Sequence, residues 1–223
     1  MGSAVTAVPF RIPALAQESS MSELIHPGLP FPLTAHGGLP TSFELDEAGV
    51  LRVTGAAHTD LFLDPSGQGR APDAGYFLGE PPVGDFTRSA RVTVPFQSMF
   101  DAGVLLLHVA GDRFAKLCFE YSPQRRPSAV SVVTRGVSDD SNSFPVEGNT
   151  LWLRVTRVGA AWAFHASTDG KWWDLMRYFS LQEDGAPVRV GLLAQSPMGD
   201  GITVTFDQLA FHAGAPADLR DGS

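Results

Sequence analysis

Runs of alternating side chains, broken by glycine and proline and repeated along most of the chain with no stretch of 3.6-residue period, restrict this sequence to an all-β fold. The clearest run is Arg113-Phe114-Ala115-Lys116-Leu117-Cys118-Phe119-Glu120-Tyr121. Its two-residue period sends Leu117, Phe119 and Tyr121 to one face and Lys116, Cys118 and Glu120 to the other. The first face belongs to a core; the second carries charge where a core would not.

Twelve such β-prone runs succeed one another, at 50–55, 59–63, 75–78, 86–94, 104–109, 114–121, 130–135, 151–158, 162–168, 173–179, 188–194 and 202–211. Their number predicts two packed antiparallel sheets, a β-sandwich with little helix. Gly111-Asp112, Gly159-Ala160 and Asp169-Gly170 each lie between two runs and mark hairpins, because glycine supplies the positive φ of tight turns. A two-residue turn at Gly159-Ala160 sets Val155 opposite Phe164 as a core pair. The same turn sets Arg154 opposite His165 on the other face, a basic pair in want of an acid or an anionic ligand. Glu120 supplies that acid if its strand shares the sheet.

At 223 residues the chain matches one sandwich domain with a self-sufficient core. We expect residues 1–24 to be a disordered N-terminal extension, 25–212 the domain and 213–223 a flexible C-terminal tail. Residues 25–40 hold too much Pro and Gly for a helix or central strand, so an extended arm across the domain is expected. Pro and Gly recur through 64–82, which reads as loops around one short strand.

A formal charge of −8 argues against a nucleic-acid partner or an anionic membrane surface, both of which require cationic patches. No run approaches the ~20 apolar residues of a membrane span. The N-terminus lacks the basic residues of a secretory signal, and Arg11 interrupts its apolar stretch. Cys118, the single cysteine, cannot bridge internally and suits a reducing compartment, so a cytoplasmic location is expected.

The six histidines form no His-x-His or His-Glu-x-x-His pair, so neither a metal nor a cofactor is expected. Ser138-Asp139-Asp140-Ser141-Asn142 lacks the spacing of a calcium loop and reads as a hydrogen-bonded turn. There is no Gly-x-Ser-x-Gly elbow, Cys118 between Leu117 and Phe119 reads as buried and inert, and Gly67-Gln68-Gly69-Arg70 opens no phosphate-binding helix. Glycoside hydrolysis needs two carboxylates about 5 to 9 Å apart, and neither Glu44 with Asp46 nor Asp139 with Asp140 meets that pattern. No catalytic residue is assigned. Among the tryptophans, Trp162 belongs with Phe164 in the core, while one of Trp172 and Trp173 must face outward.

Thr59-Asp60, Gly84-Asp85-Phe86, Phe100-Asp101-Ala102-Gly103, Lys116 with Glu120, Ser131-Val132-Val133-Thr134 before Ser138-Asp139, Leu151 with Arg154, Ser167-Thr168-Asp169-Gly170 with Trp173, and Gly191 before Ser196-Pro197 follow one another in order. Over residues 39–211 this succession resembles the family named domain of unknown function 1349. The resemblance implies a concanavalin A-like jelly roll of two antiparallel sheets, one of them concave. It also implies kinship with a yeast regulator of enolase and with copies appended to carbohydrate-active enzymes, and it brings no catalytic set. The family's polar pattern falls on Asp60, Lys116, Glu120, Thr134, Asp139 and Arg154. Asp140 and Ser141 stand where many relatives read Trp-Ser after the aspartate, which weakens an aromatic platform at that loop.

The candidate ligand-binding residues are therefore Lys116, Glu120, Thr134, Asp139, Arg154, His165 and Gln195. Three readings stay open. In the first, a non-catalytic module binds a carbohydrate or small polar metabolite on the polar sheet face. In the second, a cytosolic regulator acts through a protein partner. In the third, a carbohydrate-active enzyme uses Glu120 as acid or base beside Lys116 or Arg154. Against all three stands a purely structural network of ion pairs, worth less than ~1 kcal/mol per exposed pair.

Overall fold

The computed structural model describes residues 23–38, 41–69, 72–181 and 185–223. Residues 1–22 of the extension expected over 1–24 lie outside the described residues, while Leu24 is buried and bridges to Leu33. Fourteen strands, numbered in chain order, form two seven-stranded antiparallel sheets. The first sheet runs, in spatial order, β1 (Thr34–Gly37), β4 (Gly75–Gly79), β13 (Arg189–Gln195), β6 (Ala102–Ala110), β7 (Arg113–Tyr121), β8 (Pro127–Arg135), β9 (Val137–Pro145). The second runs β12 (Asp174–Ser180), β11 (Ala161–Ser167), β10 (Thr150–Val158), β5 (Phe86–Thr93), β14 (Ile202–Ala213), β3 (Leu51–Gly55), β2 (Ser42–Leu45). No helix occurs among the described residues.

Alternation builds the core. Leu117 and Phe119 of β7, Leu153 and Val155 of β10, Trp162 and Phe164 of β11 and Phe206 of β14 turn inward and are essentially inaccessible to water. The tight turn at Gly159 (φ 58°) gives the register expected, with Val155 opposite Phe164 and Arg154 opposite His165. The run at 59–63 is not a strand. Its alternation is real, but Leu61 and Leu63 turn down onto the outer face of the first sheet, where they pack with Leu78, Leu106, Phe114 and Val130 as a second, smaller core. Residues 56–69 and 72–74 thus cover part of that face.

Of the arm expected at 25–40, residues 25–38 are described; with Leu24 before them they place Leu24, Leu29, Phe31 and Leu33 in the main core and continue as edge strand β1. The polar stretch expected to be a turn at 138–142 is instead the middle of edge strand β9, paired along β8. The tail, expected to be flexible from 213 onward, lies in the structure against the outer face of the second sheet, where Leu219 O accepts from His165 Nε2 at 2.8 Å.

Candidate functional site

Beside residues 60–64 the outer face of the first sheet opens into a cavity of about 290 Å³. Lys116 and Glu120 rise into it from alternate positions of β7, Gln195 from the end of β13, and Asp140 from β9, while Asp60, Phe62 and Phe100 close it from the loops. Lys116 is 1% exposed. Its ammonium donates to Gln195 Oε1 at 3.2 Å, pairs with Asp60 Oδ1 at 3.5 Å, and lies 5.8 Å from the centre of the Phe62 ring.

The walls are fixed by their own hydrogen bonds. The backbone N–H of Asp60 donates to Asp73 Oδ1, while Asp60 Oδ1 accepts from the N–H of Leu61. Asp101, itself buried, accepts from the N–H groups of Gln97 and Ser98 and from Ser196 Oγ at 2.6 Å. That contact ties the turn carrying Phe100 to the residue after Gln195. Phe100 takes a positive φ of 67°, an unusual value for a bulky residue, and it does so on the pocket wall.

Burial opposes the charge on Lys116, but the surrounding acids, Asp60 foremost, outweigh it and hold the amine above its ordinary pKa. Glu120 moves the other way from a usual carboxyl. Burial pushes it up to about 8 despite the pull of Lys116, with Asp140 and Asp60 adding to the rise. Burial also raises Asp140, against the attraction of Lys116. At neutral pH the cavity therefore sets the Lys116 ammonium and the Gln195 amide among the side chains of Asp60, Asp64 and Asp140 and a largely protonated Glu120 that both donates and accepts. Cys118, beneath them, is inaccessible, and burial pushes its thiol well up, as expected of an inert cysteine.

Of the seven candidates, Lys116, Glu120 and Gln195 meet in this cavity. Thr134 lies on the same face but is buried under the covering segment, where its hydroxyl bonds Ser138 Oγ at 2.8 Å. Ser138 Oγ in turn accepts from the N–H of Leu63 at 2.9 Å. Asp139 points to the opposite side of β9 and pairs at 2.9 Å with Arg177 of β12, bridging the two sheets at their open side. Arg154 and His165 are placed elsewhere, on the outer face of the second sheet, so Glu120 is not their acid. There Arg154 stacks on Trp173 with its guanidinium carbon 4.3 Å from the ring centre, and burial lowers its pKa to about 10.

The cavity also recruits residues that the sequence did not offer as site residues, namely Asp140, Phe62 and Phe100, and it adds Asp60, which entered only through the family resemblance. Alternation along β9 would have selected Asp140 over Asp139, had the segment been read as a strand. No group of three or more metal-ligating side chains forms among the described residues. No helix there is long and apolar enough to cross a membrane.

Two antiparallel sheets with a polar cavity on the outer face of one define a concanavalin A-like jelly-roll domain. The chain belongs to the DUF1349 family, described as a protein of unknown function, whose profile matches residues 39–213. It is similar to Regulation of enolase protein 1 of Saccharomyces cerevisiae, with 28% identity over 176 residues, 78% of this chain and 87% of that one. The crystal structure of a functionally unknown protein from Saccharomyces cerevisiae superimposes with a TM-score of 0.70 at 26% identity, over 82% of this chain and 97% of that one. The GH43 BlXynB protein of Bacillus licheniformis shares the fold alone, with a TM-score of 0.58 at 16% identity over 80% of this chain and 38% of that enzyme.

Proposed function

We propose that this chain is a binding protein whose Lys116 cavity takes a small, hydroxyl-rich polar molecule of the size of a single sugar ring. The observation that carries the reading is the fully buried ammonium of Lys116, held between Asp60 and Gln195 at the floor of an open cavity. Its charge is already matched by Asp60, so a neutral ligand fits better than an anion. A sugar hydroxyl both donates and accepts, which suits protonated Glu120 and the Gln195 amide. The rings of Phe62 and Phe100 offer apolar surface to the carbon face of such a ligand. A volume of about 290 Å³ lies at the lower end of the ~300 to 1,000 Å³ of small-molecule pockets.

Calorimetric titration with a panel of neutral mono- and disaccharides and polyols tests this reading. Saturable binding that falls at least about tenfold in Lys116→Met supports it, since hydrogen bonds to a charged group contribute ~1.5–3 kcal/mol. Silence across the panel, or undiminished binding by Lys116→Met, overturns it. A second reading rests on the name of the yeast relative: a cytoplasmic regulator that acts by contact with a protein partner. A stoichiometric partner captured by cross-linking and unaffected by Lys116→Met would favour this second reading.

A further inference from the structure

A second cluster occupies the same outer face at its β1 edge. His36, Tyr76, His108 and Arg189 come from four neighbouring strands, β1, β4, β6 and β13, with His36 paired opposite Tyr76 and Arg189 opposite His108. The arm read from sequence only as a cover supplies His36, Thr34 and Phe31 to this place. Together with Leu78, Glu80 and Arg189 they line a cleft of about 330 Å³.

The hydrogen bonds set the protons. Arginine can only donate, so its 3.5 Å contact makes Nδ1 of His108 the acceptor. Burial, Arg189 and His36 lower His108 to a pKa of about 4, so the ring is neutral and carries its one proton on Nε2. Nε2 then donates to Tyr76 Oη at 3.1 Å, which leaves the phenol's own proton free to be given elsewhere. His36 lies 6.3 Å from Tyr76, ring over ring, with Nε2 at 2.9 Å from Thr34 Oγ1. Among the described residues no carboxylate forms an ion pair with Arg189, and the acceptor recorded for it is an imidazole nitrogen.

We infer that this cleft is a second binding site, one for a small molecule bearing an oxyanion, either phosphate or carboxylate. A guanidinium with donors to spare matches the paired oxygens of such a group. The His36 imidazole and the Thr34 hydroxyl line the cleft beside it, Tyr76 stacks under His36, and Phe31 with Leu78 gives an apolar wall for the ligand's carbon skeleton. Glu80, on the same wall, sets the charge limit by repelling an anion that strays from Arg189. The contrast with the other cavity is chemical: Lys116 already has its carboxylate, and Arg189 does not.

The test follows the imidazole resonances of His36 and His108 by NMR while inorganic phosphate, and separately acetate, is added at constant ionic strength. Saturable shifts are expected for at least one of the two, and the one that saturates identifies the oxyanion. Arg189→Gln should weaken that binding about tenfold, the equivalent of one charge-assisted hydrogen bond. Glu80→Gln, at an exposed position, should tighten it severalfold. Shifts that never saturate, or that are the same in Arg189→Gln, overturn the inference. Should Arg189→Gln fail to fold, a Glu80→Gln protein with unchanged affinity overturns it as well.

Discussion

Lys116 keeps its charge in a place almost closed to water because Asp60 stands 3.5 Å from it, whereas burial, with Asp140 and Asp60 adding to it, forces Glu120 to give up its own charge. This has a measurable consequence. Folded Glu120 holds its proton up to about pH 8, whereas the unfolded carboxyl releases it near 4.5. Between those values the folded state binds more protons, so the stability contributed by this group is complete below about pH 4.5 and is lost as pH rises through about 8. A histidine of ordinary pKa near 6.5 has largely lost its proton by about pH 7.5, so from there to pH 9 the melting temperature of the wild type should fall. Glu120→Gln, which cannot ionise, should flatten that slope, and scanning calorimetry across this window decides; equal slopes would place the ionisation elsewhere. Arg88 poses the opposite case. It is fully buried on the inner face of β5, donates to Gly191 O at 2.8 Å, and has Nε and Nη2 without acceptors, and burial lowers its pKa to about 10. Arg88→Met should therefore raise stability, by roughly 1 kcal/mol or more, as replacement of poorly compensated buried charge does elsewhere. A lower urea midpoint in that variant would mean that the bond to Gly191 outweighs the desolvation.

The covering residues 56–69 and 72–74 are held to the first sheet both by apolar contact and by the Thr134, Ser138 and Leu63 chain of hydrogen bonds. Ser138→Ala leaves the partly buried Leu63 N–H without its acceptor, which costs about 1 kcal/mol. Amide exchange around Leu61 and Leu63 should accelerate by a corresponding factor while β6 and β7 stay protected. The C-terminal segment is docked by geometry of another kind. Gly222 has φ 75°, and a Cβ there would come within 2.4 Å of Arg154 Nη2 and 2.8 Å of Trp173 Cβ. Gly222→Val should detach the segment and red-shift tryptophan emission as Trp173 gains water, with little loss of global stability. These elements also mark where sequence stops being legible. The β10–β11 hairpin was readable because a two-residue turn and a two-residue period determine each other, down to the Arg154–His165 pair. Strand β9 was not, since Ser, Asp and Asn disfavour strands, and bonds to β8, to Leu63 and from Arg177 hold them extended at a sheet edge. Asp139, which the family's polar pattern offers, pairs with Arg177 instead, and Asp140 takes its place in the cavity. The run at 59–63 misled in the reverse sense, because an apolar alternation also fits a loop lying on a sheet face. Which strands share a sheet depends on contacts far apart in sequence, and that is why Arg154 and His165 were grouped with Lys116.

At the scale of the molecule, the two outer faces carry the polar chemistry and the inner faces carry the stability, so the two should separate experimentally. The sheets approach closely at Gly103 of β6. A Cβ built there would sit 2.5 Å from Val92 Cγ1, 2.6 Å from Val204 Cγ1 and 3.2 Å from Val94 Cγ2. All three valines belong to β5, its end, or β14 of the opposite sheet, and each is inaccessible, so none can swing into solvent to make room. Gly103→Ala must then push the sheets apart or force the valines off their rotamers, which costs about 1–3 kcal/mol. The added methyl faces the core, whereas Lys116, Gln195, His108 and Arg189 face outward from the same sheet. Urea unfolding should show a lower midpoint with an unchanged slope, the signature of lost stability without a change in surface exposed. Below that midpoint the affinities of the Lys116 cavity for polyols and of the Arg189 cleft for oxyanions should stay as in the wild type. If Gly103→Ala instead weakened both in parallel with its loss of stability, the sheet would be transmitting its inner packing to its outer face, and the sites would depend on sheet curvature as well as on the side chains that line them.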